Sequence, residues 1–386
     1  MARPAKHDKT ISKTSYNNSL KATKVGEATD SQLKIASDAR LKLGKSENHF
    51  KKMIALREIL NSPDKKNELY HVLPQLVCSH FPYKPLYKED GTPQTFYTRS
   101  YRNGNETITV ELRSSDGTLL PYGVMDRVVL TWLQSKVKKQ QDNTLNNGSQ
   151  NETYEQKLKR RTVTWGSTSE LLQEMGLTID GKTYKKLGEA WNRLYNMNFQ
   201  IRRQRIESKN TTIEEKSQFF VFDKGVLPLE SLSDDDLLTD TVMNNCRITF
   251  TEDFYDLIRI SAVPLSKPLM KLHMDSPMEW DLVAYLTYKS WIAKNIAQKT
   301  LVVTWKELSG MIGSSNQEPR QIRSKIKKLI EDLKFEWDDC NITMVRGGNI
   351  QISPPISTVV KNKPTLFHST PELHTQPSPQ PLFGGN

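Results

Sequence analysis

The sequence predicts an α+β fold made of two tandem units, each a helix-turn-helix closed by a β-hairpin, and three observations predict it. The first is the stretch 316–337, where Ile322, Ile326, Leu329 and Leu333 fall at i, i+4, i+7 and i+11 on one helical face. Its other side carries Arg320, Ser324, Lys327 and Lys328, with Gln321, Arg323 and Lys325 on the flanks, so one side docks on a core and the other offers cations and amide donors. The second is the pair of short strands over 341–352, arranged around Arg346-Gly347-Gly348-Asn349 as a two-residue type of hairpin turn. The third is a repeat. Core helix, short strand, capped helix, basic helix and hairpin follow in that order twice. Two winged helices fit this order, and a solvated amphipathic helix with ordinary surface lysines does not account for its recurrence.

A chain of 386 residues, 36% of them hydrophobic, can bury the cores of about two or three domains. Its formal charge of +11 favours a polyanionic partner, either nucleic acid or an acidic membrane surface. No apolar run approaches the roughly 20 residues of a membrane span and the N-terminus lacks an apolar signal segment, which places the protein in the cytoplasm. Cys78, Cys246 and Cys340 stand singly, a pattern that excludes a Cys-x-x-Cys metal site and predicts reduced, half-buried thiols.

Residues 1–48 are rich in Lys, Ser, Thr and Asn and read as a disordered basic arm. A helix is expected over 50–60 (Met53, Ile54, Leu56, Leu60), an apolar run over 69–77, and a hairpin over 95–113 turned at Asn103-Gly104. Together these make a segment, 49–117, that packs on the first winged helix. That unit, 118–228, opens with a core helix (Met125, Val128, Val129, Trp132, Leu133, Val137) and a polar loop over 140–156. A strand over 161–165 follows, then a helix that starts at the capping box Ser167-Thr168-Ser169-Glu170 and stops at Gly176. The basic helix, 182–197, turns Leu187, Trp191 and Leu194 inward and Lys182, Lys185, Lys186 and Asn192 outward. The hairpin strands over 199–206 and 218–222 carry Arg202, Arg203 and Arg205.

Residues 229–247 are an acidic linker, and the second unit, 248–357, repeats the order. Trp280, Val283, Ala284, Tyr288 and Trp291 form its core helix, 300–303 its strand, and Thr304-Trp305-Lys306-Glu307 its capping box. Asn316 is the expected cap of the basic helix. In a major groove only outward side chains near the start of that helix reach base edges. Those are Gln317, Arg320, Gln321, Ser324 and Lys327 in the second unit, with Arg323, Lys328 and Arg346 beside them, and Lys182, Tyr184, Lys185, Lys186 and Arg193 in the first. The first set is mixed in chemistry and can discriminate bases, whereas the second is weighted toward lysine and phosphate.

Several separated motifs also resemble the RepA-type plasmid replication initiators. They are Pro121-Tyr122-Gly123 with Arg127 and Leu130-Thr131-Trp132-Leu133, then Phe250-Thr251-Glu252-Asp253-Phe254, Val263-Pro264, Ser276-Pro277, Leu286-Thr287-Tyr288 and the Pro354-Pro355 exit. The resemblance covers roughly 95–355 and implies two winged helices in a bacterial cytoplasm that bind repeated sites (iterons) in double-stranded DNA at a plasmid origin. It further implies opening of the adjacent duplex and recruitment of the host helicase; repression of its own gene, plasmid copy control and a homodimer are further expectations. A winged-helix transcription regulator without a replication role is the alternative.

Catalytic readings are weaker. Residues 176–183, Gly176-Leu177-Thr178-Ile179-Asp180-Gly181-Lys182-Thr183, satisfy the phosphate-loop pattern, and Phe219 to Asp223 resembles its companion strand. A phosphate loop must leave a buried parallel strand, however, and the segment before Gly176 reads as a capped helix; Asp180 would also set a carboxylate beside the phosphates. None of the seven His makes a His-x-His pair for a nicking enzyme, and Asp234-Asp235-Asp236 reads as a solvated loop. The expectation is therefore no enzyme, no cofactor and no metal. The tail, 358–386, is Pro-rich and carries Leu366-Phe367 and Leu382-Phe383, two similar apolar anchors that a sliding clamp can take; coincidence in a tail with several Pro and Leu is the alternative.

Overall fold

The structure, a computed structural model, describes residues 68–103, 106–145, 152–208, 211–226, 246–312, 318–337 and 340–354. The arm, the helix expected over 50–60, the stretch 229–240, Gln317 and the tail with its Leu-Phe anchors lie outside them.

The first described element is not helical. The run over 69–77 divides into strand β1 (Leu69–Val72) and a short helix α1 (Pro74–Ser79), because Pro74 removes a ladder donor and is suited to a first helical turn. Strands β2 (Phe96–Asn103) and β3 (Glu106–Ser114) follow as a hairpin whose register closes at Asn103 and Glu106, around the predicted Asn-Gly turn. Helix α2 (Gly123–Leu145) is longer than expected, and α3 (Tyr154–Arg160) starts inside the predicted loop, so the loop over 140–156 shrinks from both ends. Thr153 and Gln156 cap α3 reciprocally, a box that composition alone hides among polar residues.

Strand β4 (Thr162–Trp165) leads into α4 (Thr168–Met175), capped by Ser167, whose side chain accepts the Glu170 N–H. Gly176 stops α4 at φ 77°, and Leu177 N–H reaches back to Leu172 O at 2.8 Å, a Schellman stop. Helix α5 (Gly181–Tyr195) precedes the long hairpin of β5 (Met197–Ser208) and β6 (Thr211–Phe220). The strand expected over 218–222 is two: β6 ends at Phe220, and β7 (Phe222–Val226) pairs in another sheet with β8 (Cys246–Phe250).

Beyond β8 come α6 (Glu252–Ser261), β9 (Val263–Ser266), α7 (Lys267–Leu272) and the central helix α8 (Pro277–Ile292). Strand β10 (Leu301–Val303), α9 (Trp305–Ile312), α10 (Pro319–Glu336), β11 (Ile342–Met344) and β12 (Ile350–Ile352) complete the order. Glu318 stands at the cap position of α10 without a side-chain bond, and Asn316, the expected cap, lies outside the described residues. The turn at 345–349 is a 3-10 turn with Gly347 and Gly348 at φ 83°, five residues between Met344 and Ile350 instead of a two-residue turn.

All strand pairs are antiparallel, giving a mixed α and β architecture. The two halves repeat in element order and differ in pairing. In the second, β10 pairs with its own hairpin in the order β10-β12-β11; in the first, β4 joins β8 and β7, while the hairpin β5-β6 extends the β2-β3 sheet. The β5 strand of twelve residues makes this pairing, running beside β3 from Glu106–Arg205 to Ser114–Met197.

One core runs through both halves. Helix α8 is buried on nearly every side (Trp280, Leu282, Val283, Ala284, Tyr285, Leu286), as a helix apolar all round must be. Around α2 a ring stack forms: Trp165 lies 5.2 Å from Trp191 in parallel and 5.9 Å from Trp132 edge-on. Each such pair adds about 0.5–1.5 kcal/mol beyond area burial. Strand β1 pairs with β9, and the amides of its His71 and of Leu73 just after it donate to Ser135 and Gln134 of α2, so the first described strand clips the halves together.

Candidate nucleic-acid interface

Two helices present cations over an apolar base. On α5, Leu187, Ala190, Trp191 and Leu194 are buried, which orients the helix and leaves Lys182, Lys185 and Lys186 exposed in its first half. Asp180 caps it, accepting the Thr183 N–H at 2.8 Å, and bonds from the Thr178 hydroxyl and the Thr183 amide hold its carboxyl below the ordinary range. On α10, Ile322, Ile326, Leu329, Ile330 and Leu333 are buried, while Arg320, Gln321, Ser324, Lys327 and Lys328 are exposed. Both basic surfaces hold several cations close together, the arrangement that attracts a phosphate backbone.

Four predicted site residues, three on the basic helices and one on the hairpin, are not set free beside the exposed cations. Arg193 is corrected to a core role: its Nε and Nη2 each reach Asp126 at 2.9 Å, its guanidinium lies 4.4 Å from the Tyr122 ring, and its side chain is 10% exposed. Burial lifts the Asp126 carboxyl, which is fully enclosed, above its ordinary value against the pull of Arg193. Arg323 is half-buried, its guanidinium 4.4 Å from the Trp305 ring and pressed against Gly348, where an added Cβ would meet Nε at 3.0 Å. It therefore braces α10 against α9 and the turn, which Asn349 also ties by accepting the Trp305 N–H at 2.8 Å. Tyr184 is half-buried and shares a 2.7 Å hydrogen bond with Ser169 of α4.

Arg202, the fourth, is split from its neighbours by the strand register. Ile201 is buried, and alternation puts Arg203 and Arg205 on its side of β5 and Arg202 on the other. Arg203 and Arg205 are exposed beyond the end of the core, and Arg346 is exposed at the turn beside α10.

The phosphate-loop letters fall on a helix stop and a helix start. Gly176 ends α4, Lys271 packs across it with Cε 2.9 Å from where a Cβ would lie, and the Asp180 carboxylate occupies the Thr183 amide. No group of three His, Cys, Asp or Glu able to hold a metal occurs among the described residues, and no described helix is long and apolar enough to cross a membrane.

Sequence reasoning missed a buried ion pair that joins the core helices of the two halves. Arg127 of α2 binds Asp281 of α8 through two bonds, Nε–Oδ1 at 2.8 Å and Nη2–Oδ2 at 2.7 Å, with both side chains almost fully enclosed. The signal was Asp281 itself, a lone carboxylate in the apolar run Trp280-Asp281-Leu282-Val283 of a core helix.

Residues 120–307 match the family model described as plasmid encoded RepA protein, the family that the separated motifs resemble. No curated protein matches the chain. Among solved structures, one of selenomethionine derivatives of domain 2 and domain 3 of RctB is similar at 12% identity and a TM-score of 0.42, covering 71% of this chain and 95% of that one. A second, of RctB domains 2-3, has 14% identity and a TM-score of 0.40, covering 69% and 92%.

Proposed function

We propose, from the premise that residues 120–307 carry the plasmid encoded RepA segment, that this chain is a plasmid replication initiator. It binds repeated sites in double-stranded origin DNA through α5 and α10, each set in a winged helix, and promotes opening of the adjacent duplex so that host replication proteins can enter. The observation that carries the reading is the pair of helices with the same build: an apolar stripe locked into one continuous core and several exposed cations opposite it.

The two helices divide the work. Arg320, Gln321, Ser324 and Lys327 of α10 mix guanidinium, amide, hydroxyl and ammonium, the chemistry that reads base edges. Lys182, Lys185 and Lys186 of α5, with Arg203 and Arg205 on the hairpin, are point charges and forks suited to phosphates. The chain acts without nucleotide hydrolysis, a reading supported by the Asp180 carboxylate on the amide that a phosphate would need.

Binding of variants to a library of singly substituted repeats at two salt concentrations tests this. Arg320→Ala is expected to cost about 1–3 kcal/mol and relax preference at one or two positions. Lys185→Ala with Arg203→Ala weakens all sites alike and lowers the salt slope by roughly one to two. The reverse pattern overturns the division of labour. Tight site binding with no replication of a minimal origin plasmid makes the chain a transcription regulator instead.

A further inference from the structure

The sheet ordered β2-β3-β5-β6 has one face packed and one open. On the packed face Phe254 of α6 lies 6.1 Å from Phe199 and 5.9 Å from Phe219, with Ile108, Val110, Leu112 and Ile201 buried alongside. The other face has no helix over it among the described residues, and the register defines it. Phe96, Arg113, Asn198 and Phe220 form one row across all four strands. The rows beyond are hydroxyl, amide and charged side chains.

Three properties of this face point to one kind of occupant. Its charge is positive after pairing: Arg113 and Lys216 are matched by Glu111 and Glu214, whereas neither Arg102 nor Arg202 closes an ion pair among the described residues. Two polar atoms on it, Asn198 Oδ1 and Arg202 Nε, are shielded from water and have no hydrogen-bond partner among the described residues. Phe96 and Phe220 are 55% and 49% exposed at opposite edges of their row, three strand spacings or roughly 14 Å apart. Such rings do not make the continuous apolar patch that a protein partner needs, since Arg113 and Asn198 lie between them. A duplex keeps its bases stacked inside and cannot offer them to a flat sheet. An unpaired strand can.

We infer that the open face of this sheet binds single-stranded nucleic acid, with Phe96 and Phe220 stacking on bases and Arg102 and Arg202 meeting phosphates. The inference rests on the reading that the chain opens a duplex, because the face gives the separated strand a place to go. It adds a second nucleic-acid surface, distinct from α5 and α10.

The test is fluorescence anisotropy with the full chain, using a labelled oligothymidylate of about 20 nucleotides and a labelled duplex repeat. Phe96→Ala with Phe220→Ala, and separately Arg102→Ala, are expected to weaken single-strand binding about tenfold while duplex affinity stays within about twofold. Phe96→Tyr with Phe220→Tyr keeps the rings and retains single-strand binding. All the changes are at exposed positions, so the thermal melts are expected to overlay. An unchanged single-strand affinity in the double variant overturns the inference, as does an equal loss on both probes or no single-strand binding by the full chain. Arg320→Ala reports on the duplex reading alone: loss of its effect there leaves the single-strand result standing, so the two failures are distinguishable.

Discussion

Arg127 and Asp281 are 154 positions apart in sequence and share two short hydrogen bonds in the core. Their desolvation is large, and the pair is tolerated because the remaining guanidinium donors reach Phe81, Pro82 and Gly123 carbonyls. Arg127→Ala leaves a buried carboxylate alone, and urea unfolding is expected to show a loss of about 3–5 kcal/mol. Replacing both partners by Met and Leu should recover most of that, and equal losses in the two variants would mean that the pair's charge is not the cause. His80 sits 3.6 Å from the same Asp281, and burial pulls its pKa down to about 4. The folded state therefore holds it neutral while the unfolded chain protonates near 6.5. Its contribution is complete above pH 6.5 and is lost as pH falls from there toward 4. Between pH 6.5 and 5 this one group should remove about 2 kcal/mol. His80→Asn should flatten that part of the pH profile even if it lowers stability throughout.

Among the elements, α10 shows how one helix separates stability from binding. Ile326 is fully buried and Lys327, its neighbour, is exposed. Ile326→Ala is expected to cost about 2–5 kcal/mol of stability and Lys327→Ala to stay within about 0.5 kcal/mol while weakening DNA binding. Paired melts and binding isotherms decide this, and a stability loss from the lysine change would show that it packs. The ends of α4 were legible in advance, because Ser167 and Gly176 act within one turn of themselves. The brace of Arg323 on Trp305 was not, since periodicity placed Arg323 on the flank of the stripe and gave no account of α9 beside it.

At the scale of the molecule, β1 pairs with β9, α2 is ion-paired to α8, and Arg99 of β2 donates to the Gly310 carbonyl of α9 at 3.3 Å. These ties cross between the units that the repeat defines, so the chain from 68 to 354 is expected to unfold in one transition. A fragment of residues 246–354, which strips β9 of β1 and Asp281 of Arg127, should give no cooperative melt. An independent transition in that fragment, at the temperature of the full chain, would show that the crossing contacts contribute little.

The sequence by itself determined what depends on neighbours within a few turns: the core and basic helices with their stripes, the ends of α4, the hairpin that closes at Asn103 and Glu106, the shared order of core helix, strand, capped helix and basic helix in both halves, and the basic character of 182–186 and 320–328. Those are local, because propensity, capping and periodicity act over a few residues. Only the tertiary structure decided the pairing of β5 with β3 instead of β4, the withdrawal of Arg193 to Asp126, and the join of Arg127 to Asp281. Each of these turns on residues distant in sequence, where a one-residue slip of a strand or a small rotation of a helix exchanges the buried face for the open one. For the same reason the face bearing Phe96 and Phe220 could not be read from composition: its residues come from four strands, and only the register makes them neighbours.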